Sequence, residues 1–267
     1  MKSDSEFHLK IVMMALMTFF VVPVFADDIP DPCAGLLALI NRPSFTGSAC
    51  AVPYKKMLVE GGYQYLNLFG NAHGYVTPQA NFRFGLPLNN EFLIAAPTYY
   101  HQTFSPRAGW SAVELSLKHE IGYNANWVSA VEAVVTVPSG SQAYGSKSFG
   151  EAVDGIATYT FNSVFSVTAM LGVMSTSVQY IQQGERFTSM NPDIYAAWQL
   201  NDKLQIFAEL YSQTRTGPGE GLGLLTDGGL FYLLTPRVSV DAEVGQRVTG
   251  AWGFQSYAGA GFAVMLG

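Results

Sequence analysis

In the stretch AVELSLKHEIGY, Ala112 to Tyr123, Glu114, Ser116, Lys118 and Glu120 take every second position, and Val113, Leu115, Leu117, His119 and Ile121 fill the gaps. Carboxylates and an ammonium at that spacing share one face of a β-strand, where they can pair with each other or line a polar path. The same alternation places Arg83, Glu132, Asp154, Asp193, Glu209, Asp227, Arg237, Asp241, Glu243 and Arg247 on polar faces of other strands. Catalysis would ask for more: a nucleophile with a histidine base and a third group to orient it. Beyond residue 26 the chain has three histidines, His73, His101 and His119. His101 stands four residues before Ser105, a spacing that fits no esterase pattern, and His73 falls in a predicted loop. Cys33 and Cys50 are too few ligands for a metal, so a disulfide is the expected chemistry, and no cofactor is expected.

The elements that must position these residues are strands. Alternating runs recur from Met57 onward: Phe82 and Phe84 against Asn81, Arg83 and Gly85; Val131, Ala133, Val135 and Val137 against Glu132 and Thr136; Val238, Val240, Ala242 and Val244 against Ser239, Asp241 and Glu243. In the first of these, Val76 is read together with Phe82 and Phe84. The runs number about twelve, and their connections sort by length. Tight turns at Leu88-Asn89-Asn90, Asn124-Ala125-Asn126, Asn162-Ser163, Asn201-Asp202 and Thr235-Pro236 follow the even strands. Longer loops follow the odd ones: residues 71–74, 102–109, 138–151, 176–191, 212–223 and 249–255. Short turns on one side and long loops on the other are the habit of outer-membrane barrels; a soluble sandwich has no reason to sort them by strand parity.

Composition agrees. Hydrophobic residues make up 49% of the chain against 13% charged, with no apolar run long enough for a membrane helix. In a barrel the aliphatic faces meet lipid, because a charge at mid-membrane costs up to about 2–4 kcal/mol there. The Glu114, Lys118 and Glu120 face then looks into the lumen, and His119 must sit near an interface. The inward charges either pair and fill a narrow barrel or line a water-filled one; acids outnumber bases, in keeping with the net charge of −6. A field of that sign favours cations or neutral solutes. Tyr63, Tyr65, Tyr99, Tyr100, Trp110, Trp127, Tyr159, Trp198, Tyr232 and Tyr257 fall near strand ends, as aromatic girdles would.

At the N-terminus, Lys2 and Lys10 precede the apolar run Ile11 to Val22, followed by Val24-Phe25-Ala26, the pattern of an export signal over residues 1–26. Residues 27–56 form a periplasmic segment in which Asp31 caps a short helix, Pro32 opens it, and a Cys33–Cys50 disulfide tethers it. Residues 57–267 form the barrel. The expected fold is all-β: a transmembrane antiparallel barrel of about twelve strands in the outer membrane of a Gram-negative bacterium.

LSLKHEIGY (Leu115 to Tyr123), VEAVVTVPSG (Val131 to Gly140), DKLQIFAELYSQT (Asp202 to Thr214), GGLFYLLTPRVSVDAEVG (Gly228 to Gly245) and the closing YAGAGFAVML resemble the outer-membrane barrel transporters of the meta-pathway of phenol degradation. The DPC…SAC segment also looks like the leader of some of these proteins. The resemblance implies a barrel passing small, often hydrophobic or aromatic, molecules, and it carries over no catalytic motif. Ser139 replaces a Thr in the family's Pro-Thr-Gly turn, and the chain ends in Met265-Leu266-Gly267 without the usual terminal aromatic, although Phe262 is close by. Expected partners are outer-membrane lipid, a small-molecule solute and the barrel-assembly machinery. An acidic chain without a basic stripe does not suit nucleic acid. A non-conducting adhesive barrel and an outer-membrane lipid hydrolase are the competing classes.

Overall fold

A computed structural model describes residues 31–178, 185–250 and 254–267; the predicted export signal lies outside the described residues. Fifteen strands run β1 Met57–Asn67, β2 His73–Thr77, β3 Asn81–Leu86, β4 Asn90–Ala95, β5 Tyr99–Gln102, β6 Ala108–Trp110, β7 Val113–Tyr123, β8 Trp127–Val137, β9 Gly150–Thr160, β10 Phe165–Val178, β11 Glu185–Asn201, β12 Leu204–Gln213, β13 Gly223–Thr235, β14 Val238–Thr249 and β15 Ser256–Leu266. They form one antiparallel sheet that closes where β15 pairs with β1, from Met57 opposite Leu266 to Asn67 opposite Ser256. Closure pairs the two chain-end strands, as lipid demands; the short β6 pairs with β5 alone, and on its other side Trp110 bonds Ser141 of the loop after β8.

Three staves of this wall are broken. Lower down, β3 pairs with β1 and β4, and β4 with β7; higher up, β2 pairs with β1 and β5, and β5 with β6. Each of β2/β3, β4/β5 and β6/β7 is thus one stave in two pieces, and the fifteen strands make the twelve expected staves. The breaks fall side by side at residues 78–80, 96–98 and 111–112, with Pro78 and Pro97 among them. Each also reverses which residues face inward. Arg83 and Glu91 point inward below the breaks, yet Val76 and Tyr100 do so above them. Val76 therefore belongs to the opposite face from Phe82 and Phe84, against the sequence expectation.

The loop pattern holds. Two- to four-residue turns join the staves at the end near the N-terminal segment, and the longer connections lie at the other. The 176–191 stretch is the exception, because β10 continues to Val178 and β11 begins at Glu185. Ladder pairing from Val178 opposite Glu185 extends these two strands through residues whose polarity suggested a loop.

The outer surface is apolar. Val113, Leu115 and Leu117 face outward, and Glu151 and Arg186 pair with each other on the outward face near the long-loop end. His119 faces outward beside the Asn90 side chain, 3.1 Å away, at the short-turn end. Rings in mutual contact, most of them tilted or edge-on, band the wall at both ends: Tyr63, Tyr75, Tyr99 and Trp110 at one, Trp127, Tyr159, Phe161, Phe165 and Trp198 at the other. Tyr100 and Tyr257 are not girdle residues. The first stacks inward on Tyr144, and the second donates from its hydroxyl to Asp227.

Candidate functional site

Residues 31–52 lie inside the barrel, and the exposed residues 53–56 lead from it to β1 at the short-turn rim. Cys33 and Cys50 are joined with 5.4 Å between their Cα atoms. Between them the helix α1, Leu36–Leu39, is only one turn long and starts after Gly35; Asp31 instead accepts the backbone N–H of Cys33. The helix expected from Asp31 and Pro32 is shortened because this side chain closes a turn of its own. Leu36, Leu39 and Ile40 pack with Val128, Ile156, Phe207 and Phe231 of the wall, an apolar cluster inside the lumen.

The segment is held chiefly by wall carboxylates that accept its backbone N–H groups. Glu60 takes those of Asn41 and Arg42, Glu209 those of Phe45 and Thr46, Glu120 that of Ala51, and Glu91 that of Val52. A segment without regular secondary structure leaves these donors unpaired, and charged acceptors satisfy them strongly. Arg42 returns a charge to the wall, 3.2 Å from Asp241 and 3.6 Å from Glu243, with its guanidinium against Gly62, where a Cβ would collide. Arg83, fully buried, donates to both oxygens of Glu91 at 2.7 and 2.9 Å, lies 3.6 Å from Glu60, and bonds the carbonyl of Leu39.

The residues singled out from sequence fall in distinct places. Lys118 and Glu132 are buried on adjacent strands 3.5 Å apart, with Asp154 next in the same row. Asp193, Glu209, Asp227, Asp241 and Glu243 are buried across β11 to β14, and Glu120 is buried against the disulfide. Glu114 is exposed within the barrel and accepts a hydrogen bond from Thr136 at 3.0 Å. Arg247 lies at the long-loop end, its guanidinium over the Phe69 ring and bonded to the Gly250 carbonyl. Arg237 is exposed in the two-residue turn before β14, at the rim rather than along the wall. Sequence reading missed Arg42, Glu60 and Glu91. Glu60 alternates correctly but shares its face with Leu58, Glu91 adjoins a turn, and Arg42 sits where no period operates. His101 faces outward, stacked on Tyr75, away from the lumen.

Three cavities lie at successive heights inside the wall, two of them along β8 to β11 and the third beside β5, β7, β8 and β10. At the long-loop end, about 330 Å³ is lined by Tyr100, Glu114, Thr136 and Thr176. Midway, about 310 Å³ is lined by Glu132, Val134, Asp154, Met170 and Asn191. At the short-turn end, about 490 Å³ is lined by Leu36, Val128, Thr158, Phe165 and Tyr195. Gly47 borders the last two. A Cβ there would lie 3.3 Å from Ile156 and 3.6 Å from Glu132, so the place where these two cavities meet admits no side chain freely.

An outer-membrane channel from Pseudomonas putida F1 has a similar fold, with TM-score 0.65 and 8% identity over 84% of this chain and all of that one. The NanC porin aligns with TM-score 0.53 and 11% identity over 79% of this chain and 99% of its own, and the KdgM porin with 0.50 and 12% over 77% and 98%. No curated protein sequence matches. The match of a family model to residues 40–261 places the chain in the family described as "Putative MetA-pathway of phenol degradation".

Proposed function

We propose that this protein is a passive outer-membrane channel for small, hydrophobic or aromatic solutes, with no catalytic role. The observation that carries the reading is the file of three cavities running the height of the wall beside the N-terminal segment. Its widest chamber is partly apolar, as such a solute requires. In this reading residues 1–26 direct export, residues 27–56 form the segment that narrows the lumen, and residues 57–267 form the wall. The inward carboxylates and bases set the field of the path, and with acids in excess that field favours cations over anions. The barrel-assembly machinery inserts the chain, reading the last strand through Phe262.

Single-channel recording of the refolded mature protein in a planar bilayer under a salt gradient tests this. Discrete steps with cation preference are expected, and Gly47→Leu should cut the step several-fold by filling the gap beside Ile156 and Glu132. A folded barrel that conducts nothing, or steps that ignore the Gly47 substitution, would reject the path.

A further inference from the structure

The cavity at the long-loop end owes its existence to the broken staves. Its floor and side are the break residues themselves, Thr98 and Ser111 among them, and the reversal of facing at the breaks is what brings Tyr100 inward above while Glu114 points inward below. Its roof is the 138–149 loop, which folds over the mouth instead of extending from it. Tyr144 of that loop donates from its hydroxyl to the Pro106 carbonyl and stacks face to face on Tyr100, with ring centres 5.2 Å apart. Ser141 bonds backbone and side chain to Trp110, and Ser139 and Ser146 bridge the loop on itself. The chamber of about 330 Å³ is therefore walled by fixed groups rather than by a solvated loop.

None of its lining residues is basic. Glu114 is the one ionisable acid among them; Thr136 donates to one of its oxygens, and no ion pair engages it among the described residues. This contrasts with Glu91 and Glu132, whose charges are matched by Arg83 and Lys118. The remaining lining offers Tyr ring faces and Ser/Thr hydroxyls. An accessible carboxylate beside aromatic faces in a half-open polar chamber is the donor-seeking environment that binds an ammonium group, by charge-assisted hydrogen bond and cation–π attraction together.

We propose that this chamber is a recognition site for a small organic ammonium ion of about one ring in size, with Glu114 as its counter-charge and the Tyr100–Tyr144 pair as its aromatic wall. The site deepens the channel reading and rests on it for its place on a solute's route. Its occupancy, however, is measured without any current.

The test is calorimetric titration of the refolded, detergent-solubilised protein with benzylammonium, benzyl alcohol and benzoate, three ligands of one shape and three charges. Benzylammonium should bind, benzyl alcohol more weakly and benzoate least. Glu114→Gln should weaken the first by about tenfold or more, the worth of one charge-assisted bond, and leave the alcohol unchanged. Tyr144→Ala should weaken both. Each variant is accepted only if it keeps the heat-modifiable mobility of a closed barrel. Equal binding of all three ligands, binding of none, or benzylammonium affinity indifferent to Glu114→Gln would overturn the proposal. The recordings described above decide the channel reading separately, since a channel can conduct without this site and the site can bind in a barrel that does not conduct.

Discussion

Arg83 shows what a single residue does in this lumen. It is fully buried, grips both oxygens of Glu91, faces Glu60 and reaches the N-terminal segment at the Leu39 carbonyl. Removing one partner from such a group leaves the others as buried uncompensated charge, which is costlier than the pair is stabilising. Arg83→Met should therefore lower the unfolding free energy by roughly 3–5 kcal/mol. Urea titration of the folded band on unheated gels measures this. Adding Glu91→Gln to the same protein should restore part of the loss, because the orphaned charge is gone. If the double variant is as unstable as Arg83→Met alone, the deficit comes from lost packing and not from charge.

At the scale of elements, the period of two was readable wherever a strand runs unbroken. Val113 to Glu120 and Val238 to Arg247 face as their alternation predicted, since each two-residue step costs nothing to extrapolate, whereas a bulge at Ile121 turns Tyr123 inward onto the lumen cluster. It failed where a stave breaks. Pro78 and Pro97 signal an interruption, but not whether an odd or even number of residues is absorbed there, and that parity alone decides which side chains turn inward. The consequence can be tested directly. Extrapolating inward Glu91 and Leu93 along their stave would put Tyr99 and His101 in the lumen, whereas register with Val76 puts Tyr100 there. Tyr100→Cys should react with a membrane-impermeant maleimide, and His101→Cys only with a lipid-soluble one; both native cysteines are tied in the disulfide and give no background. The reverse pattern would mean that the faces do not switch.

For the whole molecule, the wall was legible and its contents were not. Twelve staves, their closure and the sorting of turns from loops follow from local period and turn chemistry. The place of residues 31–52 depends on long-range partners, carboxylates up to 164 positions away accepting backbone N–H groups, and no spacing in the sequence encodes that. This division predicts what the segment contributes. Closure of the wall rests on strand ladders, from β1 with β15 onward, which do not involve it. Its removal takes away Arg42, the apolar contacts of Leu36 and Leu39, and the N–H donors to Glu60, Glu91, Glu120 and Glu209, so these acids pass to water. A variant deleted for residues 31–52 should thus remain a heat-modifiable barrel while its single-channel step grows several-fold. Its reversal potential under a salt gradient should move further toward the cation limit: Arg42 and Asp31 leave together, but the loss of Arg42 frees Asp241 and Glu243, and the acids that held the segment become solvated along the path. An unchanged step would show that ions do not cross the space this segment fills. Loss of the barrel would show that the wall cannot close around unpartnered carboxylates, making the segment a condition of folding rather than a restriction on flow.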